Sequence, residues 1–89
     1  MDVHLVDPRD ITWEMDNPIF RVYFWYLQYP ERADSGWASQ EWEITGTDVS
    51  NVQKWAEDQA NGRRFVLYAR VETADGRGLI RLQGTGPLD

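Results

Sequence analysis

Glu41 and Glu43 stand two residues apart in a stretch of alternating apolar and polar character, so an extended chain puts both carboxylates on one face. Two carboxylates held together are the least that general acid–base chemistry needs. The same pair beside arginines also makes ordinary cross-strand ion pairs, and Arg70 and Arg81 are the expected partners. Little else supports catalysis. His4 is the single histidine, and a hydrolytic triad would have to join it to Ser35, Ser39 or Ser50, none of which lies in a nucleophile motif.

Asp7, Asp10, Glu14 and Asp16 form an acidic stretch, but it lacks the glycine hinge and closing acidic residue of a calcium loop. A solvated acidic edge is expected there. The chain has no cysteine, which removes disulfides, thiolate zinc sites and thiol nucleophiles. No Gly-x-Gly-x-x-Gly or P-loop occurs, and Gly84-Thr85-Gly86 opens no helix. Gly62 to Tyr68 has the flavour of an aromatic RNA-binding strand, yet its spacing is wrong, and Arg63-Arg64 better suit the negative end of a helix dipole. The sequence therefore predicts no catalytic residue, no metal and no cofactor.

A formal charge of -6 repels phosphate backbones, so no nucleic-acid partner is expected. The longest apolar run, Val22 to Leu27, has six residues, far below the roughly 18 of a membrane span. Met1-Asp2-Val3-His4 lacks the basic and apolar regions of a signal peptide, and with no cysteine a cytoplasmic location is expected. Eighty-nine residues are expected to make one domain, 1–89.

These residues need elements to position them. Val3–Val6 is read as a short strand, ended by Asp7-Pro8-Arg9-Asp10, and Ile11, Trp13 and Met15 alternate with Thr12, Glu14 and Asp16 as in a half-buried strand. Residues 19–28 form the strongest strand, rich in aromatic and β-branched types. After the loop Tyr29–Gly36, residues 37–45 pair back as a hairpin. Thr47 is expected to cap a helix whose Val49, Val52, Ala56 and Ala60 recur at helical spacing and which Asn61-Gly62 ends. Residues 64–73 are a strand, Ala74–Gly78 a turn and 79–83 the return strand. The order β-β-β-α-β-β gives an α+β fold, a two-layer sandwich with one helix on a mainly antiparallel sheet of four to five strands.

Alternation assigns Phe20, Val22, Phe24, Tyr26, Trp42, Ile44, Phe65, Leu67, Ala69, Val71, Ile80 and Leu82 to the helix side. The other side holds Arg21, Tyr23, Trp25, Leu27, Tyr68, Arg70, Leu79 and Arg81 with the glutamates. Tyr, Trp and Arg are the residue types that anchor interfaces. Two readings follow: Leu5, Trp13 and Met15 fold across this face and seal it, or Tyr23, Trp25, Tyr68, Arg70 and Arg81 meet a protein partner, possible homodimers included.

The pieces Asn17–Trp25, Trp37–Trp42 and Gly78–Leu82 resemble those of small uncharacterised bacterial proteins. That resemblance implies no activity and assigns no functional residue. The leading expectation is a non-enzymatic interaction module. The alternatives are a small-molecule binding domain, with Tyr29 and Trp37 stacking on a planar ligand beside the 29–36 loop, and an enzyme working through Glu41 and Glu43.

Overall fold

The unbroken apolar row does become a strand, and it lies in the middle of the sheet. A computed structural model describes residues 1–87 of the chain. Its regular elements are β1 (Ile19–Leu27), β2 (Trp37–Ile44), α1 (Val49–Ala60), β3 (Arg64–Thr73) and β4 (Gly76–Gly84). All pairings are antiparallel, and the lateral order is β2-β1-β3-β4, an open sheet. β1 therefore has a neighbour on both sides, which suits a strand with six apolar residues in a row, Val22 to Leu27.

One side of the sheet carries the core. Phe20, Val22 and Phe24 of β1, Leu67 of β3 and Val52, Ala56 and Ala60 of α1 are buried together, with Ile44, Trp55 and Phe65 packed around them. Trp55 joins the layers, 5.7 Å from the Phe24 ring and 5.8 Å from that of Trp42. Arg63 lies over Phe24 at 4.7 Å and donates to the carbonyls of Gln59 and Ala60, so it caps the helix and covers the core in one placement.

A helix about 10 Å across cannot cover four strands, each taking about 4.8 Å of width. Trp42 on β2 and Ile80 on β4, both facing α1, stay 44% and 52% exposed for that reason. Helix capping also moves by one residue from expectation. Asp48, not Thr47, is the N-cap, its carboxylate accepting from the Asn51 amide at 3.0 Å, while the Thr47 hydroxyl accepts from the Asn51 side chain. Asn61 at φ 51° and Gly62 at φ 86° supply the left-handed stop.

Larger departures from the sequence expectations lie at the amino-terminal end and in β4. No strand forms before β1 among the described residues, so the leading strand of the predicted β-β-β-α-β-β order is absent. Residues 1–18 hold only a single 3-10 turn at Pro8–Asp10, capped by Asp7. A strand needs a partner for its amides, and both sides of β1, into which this segment runs, are taken by β2 and β3. Nor does the segment seal the second face: Leu5 is 101% and Trp13 63% exposed, and Met15 is exposed as well. The radius of gyration, 16.3 Å, exceeds the about 12 Å of a compact chain this long, as an outstretched arm requires.

The second departure is in β4. Tyr68 faces Arg81 but Leu67 faces Gln83, so one extra residue is accommodated at the level of Leu82. Gln83 rather than Leu82 lies opposite Leu67, and its side chain accepts from Gln53 of α1 at 2.7 Å.

Candidate functional site

The sheet face turned away from α1 gathers residues from all four strands. Tyr23 and Tyr68 meet edge to face with ring centroids 5.2 Å apart, a geometry that places the positive rim of one ring on the negative face of the other. In register around them stand Trp25 beside Arg64, Tyr68 beside Arg81, and Arg70 beside Leu79. The five residues expected on this face, Tyr23, Trp25, Tyr68, Arg70 and Arg81, all lie on it by strand register. Among the described residues, no helix lies over it.

A charge network borders the rings. Glu43 accepts from Arg21 Nε at 2.9 Å and from Arg70 Nη1 at 2.8 Å. Arg70 Nη2 lies 3.5 Å from Glu72, which also takes Arg77 Nε at 3.0 Å. Hydrogen bonding from the Arg21 guanidinium, with the nearby charge of Arg70, holds the Glu43 carboxyl below its ordinary value of 4.5, and desolvation opposes this. That direction suits a permanent anion rather than a proton donor near neutral pH. The Arg70 side chain is only 13% exposed, and its Nε is buried without a hydrogen-bond partner, as is the indole Nε1 of Trp25.

Glu41 takes no arginine. It accepts only a weak bond from Ser39 at 3.4 Å, and Arg81 cannot reach it because β2 and β4 are opposite edges of the sheet. The expected Glu41–Glu43 pair thus divides, one member in an ion network and the other in solvent. His4 is exposed on the arm. Among the described residues, no group of three His, Asp or Glu side chains could hold a metal ion.

Sequence reading missed how one end of this face is finished. Val66 points to it by alternation and yet is 0% exposed. Gly84, at φ 97°, turns the chain after β4, and the buried Gly86 accepts from Arg64 Nη1 at 3.4 Å. An ideal Cβ on Gly84 would stand 2.2 Å from the Phe65 carbonyl oxygen, so a side chain there is incompatible with the approach. The Gly-Thr-Gly-Pro composition signals a turn, but nothing in it signals the direction.

The second candidate place is a shallow depression of about 420 Å³ at the end of the sheet, lined by Trp25, Tyr26, Leu27, Pro30, Trp37, Gly62, Arg63 and Arg64. Trp37 lines it. Tyr29 does not line it. Its ring lies under Arg32 at 5.3 Å, in a loop closed by Tyr29 N to Ser35 Oγ and Gln28 N to Gly36 O bonds.

No family model, curated protein or solved structure matches this chain. No helix among the described residues is long and apolar enough to cross a membrane.

Proposed function

We propose that this chain is a non-enzymatic interaction module whose uncovered sheet face binds another protein surface, with a second copy of the chain as the partner. One observation carries the reading: the face combines an edge-to-face tyrosine pair and a tryptophan with an arginine-rich rim, and among the described residues no helix lies over it. Rigid rings remove large areas from water at small entropic cost, and arginine forks give orientation, which is why these residue types dominate binding energy at interfaces.

Light scattering on the full chain over a wide concentration range is the test. Tyr68→Ala removes a ring from the pair, and Leu79→Asp places a charge on the exposed rim without touching the core. Association of the unmodified chain, lost in both variants while their circular dichroism stays native, is the expected result. A chain that remains monomeric throughout, or that associates equally in both variants, refutes it.

A second reading rests on the depression. Trp25 and Trp37 beside Arg63 and Arg64 suit a flat, anionic aromatic molecule, which would stack and pair at once. Titration with such compounds, followed by tryptophan fluorescence, should show saturable quenching that Trp37→Ala abolishes. Quenching that persists in that variant removes the reading.

A further inference from the structure

We infer that the outer edge of β2 pairs with the same edge of a second copy of this chain, joining the two sheets into one about a two-fold axis at Gln40. The contact is made by backbone at an edge of the sheet, so it stands apart from the proposed role of the open face.

One hydrogen bond fixes which backbone groups are free. Gln28 N donates to the Gly36 carbonyl at 3.1 Å, and these two residues continue the register that pairs Leu27 with Trp37. Bonded and non-bonded pairs alternate along an antiparallel ladder. Tyr26–Ala38, Phe24–Gln40 and Val22–Trp42 are therefore bonded pairs, and Trp37, Ser39, Glu41 and Glu43 turn their amides and carbonyls away from β1. Among the described residues, no strand lies on that side.

The two edges of the sheet are built differently. β4 is interrupted by a register shift beside Leu67 and Tyr68 and includes Gly76, Gly78 and Gly84, features that bend or weaken an edge and discourage pairing. β2 keeps an unbroken register along its length and contains no glycine, proline or lysine. Such an edge is a template for another strand.

The register identifies that strand as β2 itself. Two copies related by a two-fold axis run antiparallel, and residues turned outward must meet residues turned outward. An axis at Gln40 pairs residues 37–43 of one copy with 43–37 of the other through about eight backbone hydrogen bonds. Trp42, 44% exposed because α1 does not reach it, then lies beside Ala38 of the second copy, large against small. Glu41, which accepts from Ser39 of its own chain only at 3.4 Å, meets the Ser39 hydroxyl of the second copy, and Glu43 meets Trp37. No like charges stand opposite each other. An axis at Glu41 or Trp42 would set glutamate against glutamate, and one at Ser39 would leave Glu43 and Ile44 facing a loop.

Sedimentation equilibrium on the full chain tests the register. Gln40→Glu places two carboxylates against each other on the axis, and Gln40→Lys two ammonium groups, so each variant alone should dimerise several times more weakly than the unmodified chain. An equimolar mixture should restore dimerisation, because the mixed pair opposes unlike charges. Ser39→Pro removes an amide that the single chain does not use and should weaken the dimer at least about tenfold while circular dichroism stays native. In the unmodified chain the Ser39 and Glu41 amides should exchange slowly in concentrated solution and quickly in dilute solution. A mixture no tighter than either Gln40 variant alone, or amides that exchange equally fast at both concentrations, overturns the inference.

Contacts through the open face are separable from this one. Tyr68→Ala and Leu79→Asp leave the edge dimer in place, so any larger assembly they abolish belongs to the face. Dimers that survive both variants and are lost in Ser39→Pro support the edge. Dimers lost in both and kept in Ser39→Pro refute the edge and leave the face reading standing. A chain monomeric at every concentration refutes both.

Discussion

Gly84→Ala should be among the most damaging single substitutions outside the core, although the residue is exposed. Two separate penalties meet there. At φ 97° an L side chain is strained, which costs about 1–2 kcal/mol for a left-handed backbone. The added Cβ would also sit 2.2 Å from the Phe65 carbonyl oxygen and 3.1 Å from the Val66 Cα, backbone atoms that no side-chain rotation can move. Relief requires the end of β4 to separate from β3, where Gly84 is in register with Val66, and each ladder hydrogen bond lost costs about 0.5–1.5 kcal/mol. Together these give roughly 2–4 kcal/mol, a large part of the about 4–13 kcal/mol that a domain of this size holds. In thermal melts that is a fall of roughly 8–30 °C at about 4–8 °C per kcal/mol.

Gly46→Ala is the matched control, because Gly46 has φ 75° with nothing within 4 Å of an added Cβ. It carries the strain without the collision. Urea unfolding of both variants should therefore place Gly84→Ala at least about 1 kcal/mol below Gly46→Ala, the share assigned to the broken ladder. Equal stabilities within experimental scatter would show that the β4 end yields easily. The account of how the tail is pinned beside Arg64 would then be wrong.

Capping gives a sharper comparison at the helix start. Asp48→Ala should cost about 1 kcal/mol in urea unfolding, and Thr47→Ala clearly less, because only the Asp48 carboxylate satisfies a backbone amide. The pH dependence follows from Glu43, whose folded value is depressed by Arg21 and Arg70. A depressed carboxylate contributes stability that is present above its unfolded value and is lost as pH falls through the lower folded one. Melting temperature should drop as pH goes below about 4.5, and Glu43→Gln should flatten that part of the curve. A slope identical in the variant would show that Glu43 is not the group responsible.

Much of the fold was written locally. The period-2 run of β3, the aromatic density of β1 and the helical recurrence of Val49, Val52, Ala56 and Ala60 each name an element without reference to anything distant. They also name its buried side, so Phe20, Val22, Phe24 and Leu67 were legible as core, and Tyr23, Trp25, Tyr68, Arg70 and Arg81 as one opposite face. Alternation along a strand is a property of the backbone, and no tertiary contact is needed to read it.

Lateral strand order is different, since it depends on which edges find each other, and only the assembled sheet decides that. The order β2-β1-β3-β4 gives Glu43 to Arg21 and Arg70 and leaves Glu41 and Arg81 on opposite edges. It closes both sides of β1, the strand into which the arm runs, so Ile11, Trp13 and Met15 have a strand's pattern and no place beside the strand that follows them. The register shift near Leu82 and the turn of the tail at Gly84 are likewise settled by contacts with β3, far away in sequence. A chain can state how each segment prefers to lie, but whether a neighbour is there to satisfy it is determined by the folded whole.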